Sequence, residues 1–133
     1  MKSAIAFFSI LLLPAFLMVG ETLPVSPAKN VTIDEAEKTL KENKQVVVID
    51  LRTPAEFKGG HLEGAKNLDF LSPEFAKKVS ELDKSKTYLV HCAAGGRSTK
   101  SLKVFQDQKF GSVLHLSEGF QAWQKAGKPV AKE

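Results

Sequence analysis

Cys92 is the only cysteine among these 133 residues, and one thiol cannot close an internal disulfide. Histidine is nearly as scarce. His61, His91 and His115 show no metal-ligand spacing with one another or with Cys92, so zinc is not expected, and no other cofactor is expected either. No low-complexity tract and no internal repeat occurs, which excludes disordered and solenoid classes. The net charge of +4 is spread along the chain and slightly favours anionic partners, and with no basic stripe interleaved with aromatics it does not indicate nucleic acid. The length allows one domain around a single core, and 43% apolar with 26% charged residues is an ordinary globular balance.

Long apolar runs are also absent, with one exception. After Met1 and Lys2, the stretch AIAFFSILLLPAFLMV from Ala4 to Val19 resembles a secretory signal peptide. Its sixteen residues fall short of the about 20 that a membrane-spanning helix needs. Residues 1–20 are therefore expected to be an export signal and the protein periplasmic, with an uncleaved membrane anchor as the alternative. Residues 21–30, with Pro24 and Pro27, read as a linker, and 31–133 as the folded domain.

Within that domain, apolar runs alternate with helical patterns. DEAEKTLKEN, with Thr32 or Asp34 as cap, predicts a helix, and QVVVID from Gln45 to Asp50 a buried strand. TPAEF predicts a short helix with Thr53 as cap and Pro54 behind it, broken at Gly59 and Gly60; GAKNL predicts a short strand. SPEFAKKVSEL predicts a helix capped by Ser72, KTYLVH a strand, RSTKSLKVFQDQKF a helix ending at Gly111, SVLHL a strand, and EGFQAWQKAG a helix stopped by Gly127 and Pro129. Such alternation implies an α/β domain with a mainly parallel central sheet and helices on both faces.

The segment HCAAGGRS lies between a predicted strand and a predicted helix, beyond the carboxyl end of a strand, where α/β sheets bind ligands. A lone thiol in an oxidising compartment needs a reason. Gly95 and Gly96 allow positive φ angles, so that successive backbone N–H groups can face one centre and make an anion nest above a helix N-terminus. Amide dipoles, the helix dipole and the Arg97 charge would then favour the Cys92 thiolate and make it a nucleophile. The opposing reading is a buried, inert cysteine in a tight turn. Four residues separate Cys92 from Arg97, where the signature of cysteine phosphatases has five. The smaller ring of amides suits one sulfur bonded to the cysteine better than a tetrahedral phosphate.

Three segments resemble the rhodanese family of sulfurtransferases in its small, single-domain, exported form. VVVIDLRTPAEFKGGHLEGAKNL, from Val46 to Leu68, is similar to the family's upstream signature, CAAGGRS to its active-site loop, and LSEGFQAWQKAGKPV to its C-terminal signature. The likeness spans about residues 31–131. It departs at Glu118, where the family pattern usually has a second glycine, and at Ala93, where many members carry a polar side chain.

The resemblance implies a rhodanese-like fold and a persulfide mechanism. Cys92 would be catalytic, and Ala93, Ala94, Gly95, Gly96, Arg97 and Ser98 would hold a small anionic sulfur donor such as thiosulfate. The acceptor would be cyanide or a thiol. Asp50, Arg52 and Glu56 would support the site, with Arg52 and Glu56 paired at helical spacing. Arg97 offers a planar fork to the donor's oxygens, or else a surface salt bridge. Ser98 reads as the helix cap, His61 as a packing residue, His91 as facing away from Cys92, and Phe120 and Trp123 as core. A non-catalytic persulfide carrier or oxyanion-binding module, and a cysteine phosphatase or arsenate reductase, stay open as alternatives.

Overall fold

The computed structural model describes Gly20 and residues 27–133; the segment read as a signal peptide lies outside the described residues, apart from Gly20, as does most of the linker. The elements follow in the order β1 (Lys29–Val31), α1 (Ile33–Glu42), β2 (Val47–Asp50), α2 (Pro54–Lys58), β3 (Lys66–Asn67), α3 (Phe75–Ser80), β4 (Tyr88–His91), α4 (Gly96–Asp107), β5 (Val113–Leu116) and α5 (Gly119–Lys125). All five strands are parallel, in spatial order β1-β5-β4-β2-β3. Among the described residues no helix is long and apolar enough to cross a membrane.

Each face of the sheet is covered, because the strands bury both sets of alternating side chains. Ile49, Leu51, Tyr88, Val90, Cys92 and Val113 pack with Phe75 and Val79 of α3 and Phe105 of α4. Val48, Leu89 and Leu116 pack with Ile33 and Ala36 of α1 and Phe120 and Trp123 of α5. This is the expected α/β arrangement. From β2 the chain moves to β3 on one side, and from β4 to β5 on the other, so the loops leaving β2 and β4 diverge. That divergence makes a crevice at the carboxyl ends of the two central strands.

The caps explain where helices begin. Thr32, not Asp34, caps α1 in a box with Glu35, and Thr53 caps α2 in a second box with Glu56, with Pro54 in the first turn. Three boundaries differ from the sequence reading. Lys29 and Asn30, assigned to the linker, form β1, because β5 offers an open edge for parallel pairing. Helix α3 starts only at Phe75, since Ser72 and Pro73 are spent in a turn in which the Ser72 carbonyl accepts from Phe75 N–H. Helix α4 stops at Asp107 rather than running to Gly111. Lys109 takes the left-handed conformation, with φ of 63°, which turns Phe110 into the core against Tyr88 and Phe105.

Candidate active site

Strand β4 ends at His91, and the next residue places its sulfur inside the turn that opens α4. Gly95 N–H points at Cys92 Sγ from 3.1 Å, and Ser98 N–H from 3.4 Å, with Ser98 Oγ also 3.4 Å away. The turn is made by Gly95 alone, at φ of 100°; Gly96, expected to share that role, is the first helical residue of α4. Ser98 is accordingly not the cap. It is the third residue of α4, fully buried in the first turn, and its hydroxyl contacts the Gly95 carbonyl at 3.2 Å and His115 Nε2 at 2.8 Å. Burial pushes the Cys92 thiol up, but the Ser98 hydroxyl and the N–H groups of Ser98, Gly95 and Ala94 outweigh it and hold the thiol below its ordinary value.

A second helix backs the loop. The first N–H groups of α5 bind the loop's carbonyls, Phe120 N–H to Cys92 O at 2.8 Å and Gln121 N–H to Ala93 O at 3.0 Å. A Cβ at Gly95 would overlap the Ser117 carbonyl, and one at Gly119, with φ of 75°, would overlap Ala93. Gly119 is one loop-supporting residue that sequence reasoning passed over. Its neighbour Glu118 has ordinary helical angles, which is why a non-glycine residue is accommodated there.

The expected pair between Arg52 and Glu56 does not form. Arg52 turns inward to Asp50, with Nη2 at 2.7 Å from Oδ2, donates to the Gly60 carbonyl at 2.7 Å, and lies 4.0 Å over the Phe120 ring. Asn67 clamps the same loop by donating to the carbonyls of Asp50 and Arg52. Glu56 instead receives both arms of Arg97, at 2.9 and 3.0 Å, across 41 positions of sequence. The salt bridge expected as the alternative for Arg97 is present, and the pair ties α4 to α2 at the mouth of the site. Ala93 is half-buried, and Ala94 and Gly96 are exposed, at the same mouth.

The Arg97 hydrogen bond, opposed by burial and helped by Thr53, holds the Glu56 carboxyl at about 2, against an ordinary 4.5. A depressed acid stabilises the fold above its unfolded value and loses that contribution as pH falls toward the folded one. Both side chains are partly exposed, so solvent screening limits the effect to about 1 kcal/mol. Urea denaturation should therefore show the wild type losing more stability than Glu56→Gln between pH 4.5 and 2. Parallel pH profiles would remove the pair from the account of stability.

The remaining histidines behave as packing groups. His61 stacks on Phe57 and bonds its carbonyl; His91 lies on the opposite face from Cys92, stacked on Phe120, with Nδ1 at 3.0 Å from the Cys92 carbonyl. Burial keeps His91 below the ordinary imidazole range although Asp50 opposes it. Among the described residues no three His, Cys, Asp or Glu side chains gather into a metal-binding group.

Residues 32–126 match the model of the rhodanese-like domain. The chain belongs to the rhodanese-like domain family. It is 34% identical over 112 residues to an uncharacterized protein of Synechocystis, covering 80% of this chain but 59% of that protein's length. A protein of Allochromatium vinosum named sulfurtransferase is 31% identical over 98 residues, covering 73% of this chain and 89% of its own. The crystal structure of a rhodanese-related protein from Thermoplasma volcanium superposes with a TM-score of 0.70 at 25% identity, over 79% of this chain and 99% of that one. In this rhodanese-like domain the six-residue loop from Cys92 to Arg97 is the stretch whose backbone N–H groups close around the buried Cys92 sulfur.

Proposed function

We propose that this chain is a sulfurtransferase that carries a sulfane sulfur on Cys92 from a small anionic donor of the thiosulfate class to a thiophilic acceptor, cyanide or a thiol. The observation that carries the reading is the Cys92 sulfur cradled by the Gly95 and Ser98 N–H groups in a ring one residue shorter than a phosphatase loop. The thiolate attacks the donor's outer sulfur; a new S–S bond forms, the donor's S–S bond breaks, and sulfite leaves with its electron pair. The persulfide anion takes the place of the thiolate in the amide cradle. Attack of cyanide on the outer sulfur then releases thiocyanate and restores the thiolate. Because Glu56 occupies both arms of Arg97, donor recruitment falls mainly to the exposed backbone at Ala94 and Gly96 and to the α4 N-terminus. Residues 1–20 are proposed to direct export to the periplasm and to be removed.

One mass measurement tests both parts. Protein taken from the extracytoplasmic fraction should lack the N-terminal segment, gain the mass of one sulfur atom with thiosulfate, and lose it to cyanide. Full-length cytosolic protein would overturn export. Hydrolysis of an aryl phosphate, with no sulfur gained from thiosulfate, a thiosulfonate or a persulfide, would replace sulfur transfer with the phosphatase reading.

A further inference from the structure

A chain of hydrogen bonds that sulfur transfer itself does not require joins the Cys92 sulfur to the edge of the sheet. Cys92 Sγ lies 3.4 Å from Ser98 Oγ, Ser98 Oγ lies 2.8 Å from His115 Nε2, and His115 Nδ1 lies 2.9 Å from Asn30 Oδ1. Cys92, Ser98 and His115 are each at most 2% exposed, whereas Asn30 faces solvent on β1. The fold assembles this path from β1, β5, α4 and the loop that precedes α4. Asn30 sits opposite His115 in the β1–β5 register, and His115 shares a face with the first turn of α4.

Counting protons along the path shows what it can do, since a serine hydroxyl has one to give. With Cys92 as a thiol, S–H donates to Ser98 Oγ, the Ser98 hydroxyl donates to His115 Nε2, and Nδ1–H donates to Asn30 Oδ1. With Cys92 as a thiolate, the Ser98 hydroxyl turns to the sulfur, so Oγ needs a donor, which is Nε2–H. Nδ1 then accepts, and the Asn30 amide turns over to present its N–H. The Gly95 carbonyl, 3.2 Å from Ser98 Oγ, is an acceptor in both states and cannot supply that donor.

We propose that Cys92, Ser98, His115 and Asn30 form a proton wire through which the buried sulfur loses its proton to solvent, with His115 exchanging Nδ1–H for Nε2–H. The S–H proton passes to Ser98 Oγ, the original hydroxyl proton passes to Nε2, and the Nδ1 proton leaves to water beside Asn30. The electron pair stays on sulfur, and the imidazole stays neutral throughout. Burial, then His91 on β4, hold His115 below the ordinary imidazole range, which disfavours a charged ring. The other charged groups around the path are Asp50 and Arg52, which face His91 from the β2 side, and the Arg97–Glu56 pair, whose arginine charge reaches Cys92. Ser98 and His115 are thus positioning residues for the nucleophile.

The proposal rests on Cys92 being the nucleophile but not on the sulfur donor, so it is tested without one. In nitrogen-15 NMR of the labelled full chain, the His115 ring should change from the Nδ1–H to the Nε2–H tautomer with rising pH. The midpoint should coincide with the Cys92 ionisation read from the pH dependence of iodoacetamide alkylation. In Cys92→Ala the tautomer should not change. In Ser98→Ala it should be uncoupled from Cys92, and alkylation at neutral pH should slow about tenfold, for loss of one hydrogen bond to the thiolate. A tautomer that stays fixed in the wild type, one that changes equally in Cys92→Ala, or a ring that gains a second proton as the thiol ionises would each overturn the wire. Absence of sulfur loading beside a normal tautomer exchange would instead count against the sulfurtransferase reading alone.

Discussion

Cys92→Ser should take up no sulfur from thiosulfate and release no thiocyanate, with turnover lowered roughly 10⁴-fold or more. The substitution changes one atom in a site whose geometry is otherwise held by backbone. Gly95 N–H and Ser98 N–H aim at the sulfur because Gly95 makes the turn and α4 begins at once after it, and neither feature depends on the side chain at position 92. The α5 N–H groups bind the carbonyls of Cys92 and Ala93, which serine retains. A serine hydroxyl is a far weaker nucleophile at neutral pH and forms no stable sulfur adduct. Mass spectrometry after incubation with thiosulfate, beside a denaturation curve, separates chemistry from folding. Loading of the variant at a tenth of the wild-type rate or better would mean that another atom carries the sulfur, and the proposed mechanism would be wrong.

Asp50→Ala should destabilise the fold by about 3–5 kcal/mol, the cost of leaving a buried guanidinium without its partner. Asp50 is fully buried, Arg52 is 4% exposed, and three hydrogen bonds join their side chains. Asp50 Oδ1 also accepts from Arg52 N–H, so the carboxylate shapes the chain as it leaves β2. Adding Arg52→Met should recover a large part of the loss, because the double variant buries no lone charge, and the coupling read from the cycle should exceed about 1 kcal/mol. Denaturant unfolding of the four proteins measures it. A single variant within about 1 kcal/mol of wild type would show that water or backbone satisfies Arg52 without Asp50. Asp50 and Arg52 lie on the His91 side of the sheet, and Arg52 rests on Phe120, whose N–H holds the Cys92 carbonyl. Partial loss of alkylation reactivity should therefore accompany the loss of stability.

Why some of the site was legible in sequence and some was not follows from the range of the contacts involved. Thr53 with Pro54 and Glu56, Gly95 at a strand-to-helix turn, and apolar VVVID and TYLVH bounded by turn residues all act through neighbours within a few positions, where residue type dictates geometry. The pairing of Arg52 with Glu56 was a reading of the same local kind, and it failed. Arg52 takes the buried carboxylate of Asp50, while Glu56 meets an arginine from another helix. Gly119 shows the same limit, since its need for glycine comes from the backbone of Ala93, 26 positions earlier.

Residue pattern was enough for the class of fold, the place of Cys92 beyond a central strand, and the length of the loop that surrounds it. These depend on hydrophobic periodicity, caps and spacing, each of which is a property of a few consecutive residues. Tertiary structure alone decided which helix supports the loop, which acid holds Arg97, that Lys29 and Asn30 join the sheet, and that Ser98, His115 and Asn30 line up behind the sulfur. Those contacts join segments 17 to 85 positions apart. A polar side chain with several partners in reach chooses among them by burial and by competition for protons, and that choice exists only once the strands have been brought side by side.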